Sequence, residues 1–175
     1  MNEAILIFDF GGQYTHLIAR RMRELKVHSE IADPSISSGK LDEFRKQYDI
    51  KGFILSGGPS SVNAEDAPAY NPDIFGSGIP ILGICYGHQL IAKVFGGVVV
   101  KGNRQEYGLG TLRVRRPVGI FQDVEPAETV WISHADVVEE LPKDFEALGE
   151  TDNCLIAAFR HKAKPVYGVQ FHPEV

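Results

Sequence analysis

The chain has 175 residues, 43% hydrophobic and 23% charged, with a formal net charge of -5 at pH 7. That length can bury a substantial core and most simply makes one domain, and this composition excludes a disordered chain. The acidic balance gives no reason to expect a nucleic-acid partner, no apolar run is long enough to cross a bilayer, and two cysteines, Cys85 and Cys154, make no disulfide framework.

Ala4 to Phe10 reads as a buried strand ending in a glycine turn at Gly11 and Gly12. Thr15 to Lys26 then sets Leu17, Ile18, Met22 and Leu25 on one helical face. A second strand follows at Val27 to Ala32, and a short helix at Leu41 to Tyr48. Phe53 to Leu55 forms the middle of a third strand, which runs into SGGPSS at Ser56 to Ser61. Ile79 to Cys85 is the fourth strand and Tyr86 to Phe95 the helix after it, with Leu90, Ile91, Val94 and Phe95 toward the sheet and Gln89 pointing elsewhere. Beyond Gly96 and Gly97 come shorter strands at Val98 to Val100, Gly110 to Val114, Thr129 to Ile132 and Leu155 to Phe159, then a last one at Tyr167 to Phe171.

Strands separated by helices predict an α/β fold: an open, mostly parallel, doubly wound sheet flanked by helices, with a smaller and partly antiparallel strand region. Residues 1–175 read as one domain, and the abrupt ending after Val175 is expected of a domain cut from a longer protein. The beginning, MNEAILIFDF, has no basic leader or cleavage pattern, so a reducing cytoplasm is the expected location. Charge is uneven: Lys101, Arg104, Arg113, Arg115 and Arg116 cluster with only Glu106 opposing them, while Asp123 to Asp152 is acidic. These stretches read as solvated faces or as a docking surface.

Cys85 lies where a strand should end and a helix begin, within Gly83-Ile84-Cys85-Tyr86-Gly87. That is the spacing of a nucleophile elbow with cysteine in place of serine, and N–H groups at the helix start stabilise a thiolate there. Alone, the motif leaves a nucleophile and a buried structural cysteine equally open. A second strand end supplies His172 and Glu174, a base for the thiol proton and a carboxylate to orient it. A third supplies Gly57 and Gly58, whose loop lets an N–H face a tetrahedral oxyanion, with the Tyr86 N–H as second donor. Together these point to cysteine-based acyl transfer. Cys154, beside an apolar run, reads as structural, and His16, His28 and His161 have no coherent partner spacing.

The segments SGGPSSV (56–62), GICYGHQL (83–90) and FHPE (171–174), in this order and spanning most of the chain, resemble the class I glutamine amidotransferase family. The resemblance implies a Cys85-His172-Glu174 triad that hydrolyses the side-chain amide of glutamine through a glutamyl thioester. It places Gln89, Gly57, Ser133 and His134 at the substrate, Gly58 and Tyr86 at the oxyanion, and Asp136 where it can couple the site to a partner. Within the family, DFGGQY (9–14), GPSSV (58–62) and WISHAD (131–136) resemble the GMP-synthase branch, although glycine is more familiar than Ala135. That branch implies an ATP-pyrophosphatase partner, as subunit or fused domain, which uses ATP and magnesium and accepts ammonia at xanthosine monophosphate. No cofactor is expected in this domain, and no GxxxxGK[ST] phosphate loop occurs in it. The alternatives are a glutaminase serving another synthase, such as a chorismate-using enzyme, and a catalytically silent interaction subunit. A metal centre drawn from Cys85, His134, Asp136, His172 and Glu174 is weaker, because the close Cys/His spacings of zinc sites are missing.

Overall fold

A computed structural model describes residues 1–175. In chain order the elements are β1 (Asn2–Phe8), α1 (Thr15–Glu24), β2 (His28–Ala32), α2 (Ser38–Gln47), β3 (Tyr48–Leu55), α3 (Asp73–Gly76), β4 (Ile81–Ile84) and α4 (Tyr86–Val94). Then follow β5 (Val98–Val114), β6 (Ala127–Glu140), β7 (Phe145–Thr151), β8 (Cys154–His161) and β9 (Val166–Val169). All nine strands join one sheet in the order β2-β1-β3-β4-β9-β8-β7-β5-β6. The first five are parallel neighbours, and every pairing from β9 to β6 is antiparallel. The expected α/β architecture is therefore present, with the antiparallel region continuing the main sheet.

Side chains on successive strand residues point to opposite faces, so a strand buried on both sides is apolar throughout. β1 shows this: Leu6 and Phe8 pack into a core with Phe53, Leu55, Leu90 and Ile91, whereas Ile7 joins Ile18, Ala19, Ile54 and Ile84 on the other face. Helix α1 covers the second face, while α2, α3 and α4 contribute Leu41, Ile74 and Leu90 to the first. The Ser37 side chain accepts from Lys40 N at 3.2 Å and starts α2 earlier than hydrophobic spacing alone indicates. No helix is long and apolar enough to cross a membrane.

Several sequence readings need correction. Leu25, placed on the helical face, lies past the end of α1 at 69% exposure, and Val94, placed toward the sheet, is exposed as well. Val98 to Val100 and Gly110 to Val114 are the two ends of a single 17-residue strand, and 129–132 is the middle of a 14-residue one. β7 and α3 were not anticipated. The basic and acidic stretches also meet: Arg113 pairs with Asp152 (2.7 Å) and Glu150 (3.4 Å), Arg116 with Glu146 (3.0 Å), and Arg115 with Glu150. Pairing β5 with β7 brings those charges together, so that part of the cluster is internally neutralised.

Candidate active site

β1 has β2 on one side and β3 on the other, so chain order reverses beside it. At such a switch point the loops leaving the carboxyl ends of neighbouring strands diverge and open a crevice. Here those loops carry Gly11 to Tyr14 after β1, Gly57 to Pro59 after β3, Cys85 after β4 and His172 after β9. They line one cavity of about 320 Å³, with Ser133 of β6 closing it. A second cavity of about 400 Å³ shares Gly58, Pro59, Cys85 and Ser133 and extends past Gln89 to His134 and Asp136.

Cys85 has φ 53° and ψ -103°, a left-handed conformation that side chains other than glycine rarely adopt. It is held because the Cys85 N–H donates to Val169 O at 2.9 Å while α4 begins at the next residue. The strained turn lifts the thiol to the cavity wall at 6% exposure, where Sγ donates to Ser133 O at 3.4 Å. Cys154 is different: it is 1% exposed, and burial, assisted by the Glu106 charge, pushes its thiol up to about 12. That thiol stays protonated and inert.

His172 Nδ1 and Glu174 Oε1 are 2.6 Å apart, both groups being buried. Burial works against protonating the ring, but hydrogen bonding and charge from Cys85 and Glu174 outweigh it and raise His172 to about 9. The imidazolium is thus favoured near neutral pH. Backbone fixes the ring as well: His172 N donates to Trp131 O at 2.8 Å, and Arg21 Nε donates to Glu174 O at 2.8 Å. Tyr14 packs edge-on against the ring with centroids 5.2 Å apart.

Neither the Gly58 nor the Tyr86 N–H has a hydrogen-bond partner within the chain. Tyr86 begins α4, where the first amides have no helical acceptor. Gly57 must be glycine for a local reason, because a Cβ there would come within 2.9 Å of His172 Cε1.

Gln89 lies one turn beyond Cys85, its N–H donating to Cys85 O at 3.2 Å. Its side chain is buried, with Nε2 donating to Asp136 O (2.9 Å) and Gln170 Oε1 (3.0 Å). His134 borders the cavity, while its ring is occupied by Glu106 Oε2 (2.8 Å) and by Asp136 O (3.0 Å). Ser133 and Asp136 also line this space. The structure thus brings together every residue singled out at the site. Sequence reasoning gave no role to Arg21, Glu106 and Gln170, nor to the backbone of Trp131 within its quoted motif, because their parts depend on contacts with residues far along the chain.

Comparison with known proteins agrees with this geometry. The family model for glutamine amidotransferase class-I matches residues 6–175. A protein of Vibrio parahaemolyticus named GMP synthase [glutamine-hydrolyzing] is 45% identical over 174 residues, 99% of this chain and 33% of its own length. One of the same name from Trichormus variabilis is 47% identical over 173 residues, again 99% of this chain and 31% of its own. The chain therefore spans about a third of the length of the curated relatives it matches. The crystal structure of a candidate GMP synthase subunit from Thermoplasma acidophilum superposes with TM-score 0.84 at 37% identity, covering 100% of this chain and 86% of that one. By motif, geometry and match along nearly its whole length, the chain belongs to the class I glutamine amidotransferases, a family of enzymes.

Proposed function

We propose that this domain hydrolyses glutamine to glutamate and ammonia through Cys85, His172 and Glu174, and supplies the ammonia to a synthetase that converts xanthosine monophosphate to GMP. One observation carries the reading: a cysteine with positive φ, the ring of His172 held by buried Glu174, and the unpartnered Gly58 N–H meet at one crevice at the sheet's switch point, and the unpartnered Tyr86 N–H stands at the adjoining cavity that shares Cys85 and Gly58.

The Cys85 sulfur attacks the amide carbon of glutamine, forming a C–S bond and pushing the carbonyl electrons onto oxygen. The Gly58 and Tyr86 N–H groups receive that oxyanion. His172, protonated and oriented by Glu174, gives its proton to the departing nitrogen as the C–N bond breaks, and ammonia leaves. Water then adds to the thioester with His172 as base, the C–S bond breaks, and glutamate and the sulfur are released. Gly57, Gln89, Ser133 and His134 hold the substrate's polar groups, partly through backbone, and Asp136 couples the site to the partner's state. No cofactor takes part here; ATP and magnesium act at the ATP-pyrophosphatase subunit or fused domain. A cytoplasmic location suits that reaction.

The names of the relatives support the GMP branch, as does the Trp131 to Asp136 segment, whose Ser133 to Asp136 line the cavity. The test is Cys85→Ala beside the wild type, with the synthetase partner and either glutamine or ammonia as nitrogen source. We expect GMP formation from glutamine to be abolished and formation from ammonia to persist. Loss with both sources, or persistence with both, would defeat the assignment of Cys85. A partner that makes a chorismate-derived product in place of GMP would move the domain to another synthase.

A further inference from the structure

β5 and β6 pair in register from Arg113↔Ala127 to Glu106↔His134, and pairing resumes at Lys101↔Asp136. Between those two points the ladder breaks: Gly102, Asn103, Arg104 and Gln105 stand opposite Ala135 alone. The break falls beside the cavity, where fixed carbonyls are needed. Ser133 O faces Cys85 Sγ at 3.4 Å, and Asp136 O accepts from Gln89 Nε2 at 2.9 Å. A strand that loses ladder bonds keeps its carbonyl directions only when other groups hold it.

Side chains do so here. Glu106 is the last β5 residue paired before the break, and its carboxylate meets His134 Nε2 at 2.8 Å. Thr151 Oγ1 of β7 donates to the same carboxylate at 3.0 Å, and Asn153 Nδ2 at 3.2 Å. The other ring nitrogen, Nδ1, lies 3.0 Å from Asp136 O, so the ring bridges the Glu106 carboxylate and that carbonyl. One carbonyl therefore receives both the ring and Gln89. Both members of the pair are well shielded, their side chains 1% and 10% exposed. A contact so sheltered from water holds its geometry better than an exposed ion pair.

We infer that Glu106 is a positioning residue for glutamine: through His134 it sets the Asp136 carbonyl across the ladder break, and thereby the Gln89 side chain at the substrate cavity. The inference rests on the glutaminase reading for its kinetic consequence but not for the clamp itself. Glu106 touches neither Cys85 nor the reacting amide, so its loss acts on substrate binding more than on the chemical step.

The experiment compares Glu106→Ala and Glu106→Gln with the wild type in the assembly with the synthetase partner. Glu106→Ala is expected to raise the glutamine KM about tenfold, the scale of one lost hydrogen bond to a charged group, with a smaller change in kcat. Glu106→Gln keeps a polar group within reach of His134, Thr151 and Asn153 and should recover most of the loss. Alkylation of Cys85 by iodoacetamide, which needs no glutamine site, should stay within about twofold of the wild type. Amide exchange over residues 133–136 should quicken about tenfold in Glu106→Ala, with β1 to β4 unchanged. An unchanged KM, or equal losses in kcat, KM and alkylation with no recovery in Glu106→Gln, overturns the inference. A wild-type assembly that hydrolyses no glutamine defeats the proposed function instead. Amide exchange then decides the clamp: local quickening upholds it, and unchanged exchange removes it.

Discussion

His88 lies three residues from Cys85, wholly buried and stacked on Phe159 with ring centroids 4.5 Å apart. Neither ring nitrogen makes a well-formed hydrogen bond; the Ile156 backbone and the Gln170 side chain offer only weak ones. Burial, and secondarily the His134 charge, push its pKa from 6.5 down to about 3, only partly offset by the Ile156 backbone and Gln170 side chain. The unfolded chain binds a proton at this residue below 6.5 while the folded chain does not. His88 therefore supports folding fully above that pH, and its support is lost as pH falls toward about 3. The steepest loss from this one group is about 1.4 kcal/mol per pH unit. Urea denaturation of the wild type and His88→Leu at pH 6.5, 5.75 and 5.0, above most carboxylate titration, checks this. The wild type should lose stability more steeply than the variant, and parallel profiles would show that the ring is protonated without penalty.

Helix α4 follows the Cys85 turn, and its distance from β4 is set at Gly83. A Cβ there would lie 2.5 Å from Gly87 C and 2.7 Å from Ile91 Cδ1, so the helix itself would have to move. Gly83→Ala should cost about 1–3 kcal/mol by overpacking and displace the Cys85 turn. Gly39 in α2, with open space around its missing Cβ, should accept alanine with no loss. Equal urea midpoints for wild type and Gly83→Ala would refute the fit. This joint was legible in sequence because Gly83, Cys85 and Gly87 are neighbours, and the strand before them and helix after them have clear apolar periods. The β5–β6 arm was not. Glycines at 102, 108 and 110 and the charges between them break its alternation, so a continuous strand reads as fragments. β7 hid for a related reason: FEALGET has few apolar residues and a bulge that shifts its register against β8. Glu106 and Gln170 gain their partners only after those registers are set. Their roles are long-range facts that no local spacing encodes.

At the scale of the molecule, one sheet does two jobs with its two halves. The parallel half presents four loops at its carboxyl ends, and the antiparallel half bends β6 back over them, so that Trp131 O holds His172 and Ser133 O faces Cys85. The crevice is consequently walled by both halves, but it is not sealed: Tyr107 on the rim of its adjoining cavity is 66% exposed, and Leu109 beside it 76%. Ammonia leaving such a mouth into neutral water would soon be captured as ammonium, which has no lone pair to attack a second substrate. If the domain feeds a synthetase, docking has to cover this opening before the thioester forms. Amide-¹⁵N glutamine given to the assembled complex in excess unlabelled ammonium should therefore yield a product whose new amino group is mostly ¹⁵N. Dilution of the label to the proportion in bulk solution would mean that ammonia escapes and returns. In that case the open rim would be a permanent feature of the working enzyme rather than a surface that its partner closes.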